Sequence, residues 1–200
     1  MLQRINDRIR YRKEQKRYLK KLKPWNGDHW KRKDDELKSI KKHIKTLLIN
    51  FQNNRCAYCG LPLSETSNIE IEHIAPKGKR PQFTFTPYNL ALACRFCNGF
   101  EKKGTKETIT TLKNNYKLCD FNIVHPYFDN PRDHFNWVPK GRHILISHKT
   151  TKGKKSIEIF KLDSTPHNEA RARLALYEDI EIGDKEMEDR LTSILTYKMR

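Results

Sequence analysis

CAYC at residues 56–59 and CRFC at 94–97 are two CxxC pairs separated by 34 residues. Two such pairs offer the four thiolates of a closed tetrahedral zinc site. A single pair would suit redox chemistry equally well, and it is the matched second pair that points to a metal. A site closed by four cysteines leaves no coordination position for substrate, so this zinc would staple the chain and not act on anything. Between the pairs it would pin NIEIEHIAPKG, residues 68–78, where Glu72 and His73 end an alternating strand pattern, and Asn89 in PYNLALAC; Asn98 follows the last cysteine directly. The apolar residues of the strand fall at Ile69, Ile71 and then Ile74. That slip predicts a bulge or strand end at His73, which would bring Glu72 and His73 to one shared site instead of opposite faces. Cys119 stands outside both pairs and reads as a buried thiol.

In this order, CAYCG, IEHIAPKG, NL and CRFCN followed by KKGT resemble the HNH endonuclease family in its zinc-stapled form, a ββα-metal (His-Me) finger. The resemblance implies that His73 is a general base, that Glu72 and Asn98 ligate a catalytic divalent metal, and that Asn89 braces the loop and orients His73. The chemistry agrees with these roles. A neutral imidazole takes a proton from water at physiological pH, and a metal held by a carboxylate and an amide oxygen keeps open positions for phosphate and water. Asn98 stands where the name-giving pattern has histidine. Oxygen ligands favour Mg2+ or Mn2+ there, with Zn2+ confined to Cys56, Cys59, Cys94 and Cys97. Glu72, where Asp is commoner, lengthens its ligand by one methylene. Lys77, Lys79, Arg80, Arg95, Lys102 and Lys103 surround these residues and are expected to hold phosphates on either side of a cut. His29, His43, His125, His134, His143, His148 and His167 lie outside the finger and read as surface or packing residues.

Such a site needs elements to hold it, and the chain divides into three parts: 1–50, 51–105 and 106–200. Lys and Arg number 17 against 6 acids in the first 50 residues, so +11 of the net charge of +17 sits there. A charge of this size favours a polyanionic partner such as nucleic acid. Leu2, Ile5, Ile9, Tyr11 and Leu19 form one helical stripe before the break at 24–27, and Leu37, Ile40, Ile44, Leu47 and Leu48 form a clearer one after it. Two basic amphipathic helices are therefore expected, either clamping nucleic acid or docking an acidic partner surface. Turn residues then replace the helical period through the finger. Further on, residues 106–118 are expected as a helix, 143–148 with 155–162 as a hairpin, and the chain from about 168 as a helix with a second after Gly183. The expected class is α+β, a ββα-metal core with a helical N-terminal and a mixed C-terminal extension. No run approaches the roughly 18 apolar residues of a membrane span, and the first residues lack the apolar core of a signal peptide, which predicts a soluble cytoplasmic protein.

HPYFDNPRDHFNW, GRHILISH and KSIEIFKLDSTPHNEARARLAL resemble a pattern that follows the finger in one subset of HNH proteins. Asp163 departs from it where that subset commonly has Asn. The subset includes the nuclease subunit of Septu-type anti-phage defence systems, so the resemblance implies a defence nuclease acting on DNA more than on RNA, with an ATPase subunit as partner. Two rivals stand beside it: a non-catalytic zinc-stapled nucleic-acid-binding protein, and a restriction or homing-type nuclease that acts alone.

Overall fold

The computed structural model describes residues 2–63, 69–100, 102–139 and 143–178, with Asp189 and Ser193 beyond them. The helix expected after Gly183 lies outside the described residues. At the centre β1 (Ile69–His73) pairs antiparallel with β2 (Leu90–Cys94), and β2 runs directly into the short helix α3 (Arg95–Asn98). This is the ββα unit. Its register is regular, from Ile69 opposite Cys94 to His73 opposite Leu90. The outer edge of β2 is closed by Gln52, whose amide donates to Leu92 O at 2.9 Å and accepts from Leu92 N at 2.7 Å, so no backbone polar group is left unpaired at that point.

Gln52 is in place because it caps α2 (Asp35–Phe51). That helix starts where Asp34 accepts the Leu37 N–H at 3.1 Å, and it buries Leu37, Ile40, Ile44 and Leu48, one face at helical spacing. Each such side chain contributes about 1.5–3 kcal/mol on burial. The first expected helix is shorter than its stripe. α1 covers Lys13–Lys21, while Leu2, Ile5 and Ile9 are buried from a non-helical strap. The strap's groups are claimed from far along the chain: Ile5 N donates to Pro126 O at 2.8 Å and Tyr11 Oη to Phe85 O at 2.9 Å.

Two expectations for the C-terminal half are corrected. The stretch 106–118 is not a helix: β3 (Ile109–Thr111) pairs with β4 (Asp120–Phe121), and the Glu107 carboxylate accepts the N–H groups of Thr108 and Ile109. After the short helix α4 (Pro131–His134), the hairpin forms between β5 (Phe135–Val138) and β6 (Leu145–His148). Residues 155–162, expected as its second strand, instead fall mostly in the helix α5 (Thr151–Phe160), capped by Thr150 Oγ1 accepting from Gly153 N. Ile157 and Ile159 imitate a strand's period, yet Gly153, Ser156, Ile157 and Phe160 are buried at i, i+3, i+4 and i+7. α6 (Thr165–Glu178) follows. One apolar core joins Leu2 and Ile5, the inner face of α2, Leu90 to Ala93 and Phe160, so all three parts of the chain contribute to it.

Candidate active site

The two CxxC turns close on each other. The Sγ atoms of Cys56, Cys59, Cys94 and Cys97 all lie within 4.8 Å of one another, with Cys59 and Cys94 at 3.9 Å. Zn–S bonds of about 2.3 Å require edges of about 3.8 Å, so the donor set fits a tetrahedral zinc. The first turn is a knuckle: Cys56 N bonds Leu61 O, Gly60 N bonds Cys56 O, and Gly60 takes φ 73°, a conformation that glycine adopts without cost. Hydrogen bonds from the Cys56 and Cys59 thiols hold Cys94 far below the usual thiol range. The knuckles bind the end of β2 to the turn at 56–60, and they thereby fix β1 as well.

β1 stays regular through His73, which overturns the expected bulge. Ile74 N continues the ladder to Asn89 O at 2.9 Å, and neighbouring side chains take opposite faces. His73, 4% exposed, lies in a wall built by Trp30, Thr84 and Phe85: the Trp30 ring meets the imidazole edge-on with centroids 4.5 Å apart. Its Nε2 contacts Thr84 O at 3.1 Å. A carbonyl only accepts, so Nε2 carries the proton and Nδ1 keeps the free lone pair. Burial first, and the Lys77 charge second, lower the imidazole pKa to about 3, so the ring is neutral.

Glu72 faces the other way. Its carboxylate pairs with the Lys103 ammonium, both buried, and Tyr58 Oη donates to Glu72 Oε1 at 3.4 Å. Burial raises the Glu72 carboxyl above its usual range, and Lys103 pulls it back. The side chain that Asn98 meets is Glu70, two residues earlier on the same face: Asn98 Nδ2 donates to Glu70 Oε2 at 2.7 Å. That bond commits the amide nitrogen to Glu70 and leaves Asn98 Oδ1, an acceptor, outside it. Asn98 thus meets Glu70, while Glu72, expected with Asn98 as a metal ligand, is paired with Lys103. Sequence reasoning missed Glu70; its period-2 relation to Glu72 was the available signal.

Asn89 holds the loop. Its Oδ1 accepts from Ala75 N at 2.6 Å, and its Nδ2 donates to Ala75 O at 3.1 Å and Phe83 O at 3.0 Å. Phe83 precedes Thr84, whose carbonyl fixes the His73 tautomer, so one amide ties the chain after His73 to the chain that orients it. Lys103 Nζ donates to His73 O and Thr108 Oγ1 to Ile74 O, each at 2.7 Å, so every carbonyl from His73 to Ala75 has a side-chain donor.

The basic residues separate by position. Lys79 and Arg95 are exposed, and Lys77 and Lys102 half-buried, with Lys102 over the Phe96 ring at 4.6 Å. Arg80 is paired with Glu107 at 2.8 Å. Lys103 is not at the surface: it is 1% exposed and held under β1.

Residues 56–104 match the HNH endonuclease family model, over the stretch from the first knuckle to the turn after α3. The ββα unit with its four clustered cysteines is thus an HNH domain. The chain is similar over a longer stretch to the Septu protein PtuB of Bacillus thuringiensis, 32% identical over 127 residues that cover 62% of this chain and 42% of that protein. It is also similar to the Septu protein PtuB of Bacillus mycoides (strain KBAB4), 28% identical over 170 residues that cover 76% of this chain and 56% of that one. The chain spans about half the length of these curated relatives. Among the described residues no helix is long and apolar enough to cross a membrane.

Proposed function

We propose that the protein is a metal-dependent HNH endonuclease that hydrolyses phosphodiester bonds in nucleic acid, DNA before RNA, as the nuclease subunit of an anti-phage defence system with an ATPase partner. The observation that carries the catalytic reading is the His73 tautomer: Nε2–H is committed to Thr84 O, and Nδ1 is left as a proton acceptor beside a zinc-stapled strand. Similarity to the Septu proteins supports the defence setting. The ATPase rests on the resemblance of the second half of the chain to the Septu-type subset.

In this reading His73 Nδ1 takes the proton of the attacking water, and Thr84 O stabilises the imidazolium as it forms. Asn89 keeps Thr84 in place. A magnesium or manganese ion would neutralise charge on the scissile phosphate and the leaving oxygen; its expected ligands Glu72 and Asn98 lie on the face of β1 opposite His73, where Glu72 is paired with Lys103 and Asn98 with Glu70. Lys77 stands close enough to His73 to act on its charge, and with Lys79, Arg95 and Lys102 it would position the flanking phosphates.

The test is cleavage of supercoiled plasmid, single-stranded DNA and RNA by the purified chain with Mg2+ or Mn2+, alongside His73→Ala. Metal-dependent cutting that the variant loses is the expected result. Equal activity in both proteins removes the enzyme reading. One observation favours a second reading, a nucleic-acid-binding protein without catalysis: His73 is covered by Trp30. Retained nucleic-acid binding with no cleavage by either protein would select it. Co-purification with an ATPase subunit, or its absence, separates the defence complex from a nuclease acting alone.

A further inference from the structure

HPYFDN, residues 125–130, lies outside the finger, yet its first residue reaches the centre of the site. His125 is fully buried. Its Nδ1 accepts from Tyr127 N at 3.2 Å, so the proton is on Nε2, which faces Tyr116 Oη at 3.0 Å. Burial and the Lys152 charge depress its pKa well below the usual value, which agrees with a neutral ring. Nε2–H therefore donates to the Tyr116 hydroxyl, and that hydroxyl donates to Asn89 Oδ1 at 2.9 Å. Asn89 in turn donates to Ala75 O and Phe83 O. The direction of donation is the same at every step, from Tyr127 N to the two loop carbonyls, and bonds aligned in this way polarise one another. With Ala75 N also bound, both lone pairs and both protons of the Asn89 amide are used, and the amide has one orientation.

We propose that Tyr116 and His125 are positioning residues of the His73 site that act through Asn89. The claim rests on the catalytic reading of His73 above. The segment is anchored independently, since Tyr127 Oη donates to Leu90 O at 2.6 Å and His125 N to Asp129 Oδ2 at 2.8 Å, so the relay transmits a fixed position. Without the Tyr116 hydroxyl the Asn89 amide keeps its backbone partners, but Oδ1 loses one of its two donors and the bonds from Nδ2 to Ala75 O and Phe83 O lose the polarisation it supplies. Phe83 and Thr84, which set the His73 tautomer, are then held less firmly.

The test uses the full chain on supercoiled plasmid with Mn2+ under single-turnover conditions. Tyr116→Phe removes one oxygen and keeps the ring that packs on Phe83, Phe121 and Phe128. Its maximal rate is expected to fall by about 10–100-fold, the cost of small misplacement near a reacting group, with half-saturating concentration, zinc content and melting temperature close to wild type. His125→Ala should behave alike, and His125→Gln, which restores an N–H donor, should recover part of the rate. In 15N-histidine spectra the His73 signal should move from the pure Nε2–H tautomer toward a mixture in Tyr116→Phe. His73→Ala as active as wild type defeats the catalytic reading itself. His73→Ala dead with Tyr116→Phe fully active, or Tyr116→Phe zinc-free and unfolded, overturns the positioning claim alone.

Discussion

Lys103 Nζ donates to the backbone carbonyl of His73 at 2.7 Å while its charge is paired with Glu72, so one buried ammonium holds adjacent residues of β1. Removing one partner of a buried pair strands the other charge, at a cost of about 3–5 kcal/mol. Lys103→Met should lower stability by that order in urea unfolding. Glu72→Gln combined with Lys103→Met should recover part of the loss, because neither charge is then left alone. A Lys103→Met protein as stable as wild type would show that Glu72 and Lys103 do not form this pair in solution.

The second prediction concerns zinc. The four sulfurs converge from two turns that otherwise meet through a few bonds, such as Ala57 N to Leu92 O at 3.0 Å. Binding energy of such a site is folding energy. Cys56→Ser, or prolonged chelation of wild type, should remove zinc and collapse near-ultraviolet dichroism together. Zinc content read beside the spectrum decides it: a zinc-free chain with native signal and full thermal cooperativity refutes the structural role.

Acid should destabilise the fold through its buried neutral histidines. The native pKa of His73 is lowered to about 3 by burial, and that of His125 is also pushed well below its ordinary value. Above about pH 6.5 neither state holds the extra proton, and the stability is full. Below that the unfolded chain gains protons that the native chain refuses, so stability falls as pH falls toward 3. The slope is about 1.4 kcal/mol per pH unit for each such histidine. Urea midpoints measured from pH 7 to 4 should drop, and His73→Gln should flatten part of the drop; a level wild-type curve contradicts the burial.

What the sequence disclosed and what it hid follow from range. Two CxxC turns and the stripe of α2 are local patterns, and both appear in the fold as read; the strand IEIEH appears too, but without the bulge expected at His73. The strap at 2–12 has the apolar spacing of a helix, but bonds to Pro126 and Phe85 decide its shape, and those partners lie more than seventy residues away. Lys103 reads as a surface charge until Glu72 is seen beneath it. Tyr116 and His125 carry no motif that names Asn89 as their target; only the folded chain brings them together.

Gly153 shows the same limit in one atom. The helix α5 approaches the backbone of His134 so closely that a Cβ at position 153 would sit 2.2 Å from His134 O. Backbone cannot retreat as a flexible side chain can. Gly153→Ala, ordinarily favourable in a helix, should therefore destabilise by about 1–3 kcal/mol, the cost of overpacking. Thermal melting checks the sign, and a stabilised alanine variant would place α5 farther from α4.

The last prediction separates surface charge from buried charge. Phosphate contacts displace counterions, so each one steepens the fall of affinity with salt by about one unit of log–log slope on duplex DNA. Lys79 and Arg95 are exposed on the finger and Lys103 is enclosed beneath it. Lys79→Ala and Arg95→Ala should each weaken binding to a duplex of any sequence and reduce the salt slope by about one, with zinc content and melting unchanged. The enclosed ammonium answers to Glu72, not to phosphate, so Lys103→Met measured at a temperature where it stays folded should leave the slope as it was. Fluorescence anisotropy across a salt series reads all three, and a Lys103→Met slope reduced like the others would put that ammonium on the nucleic acid.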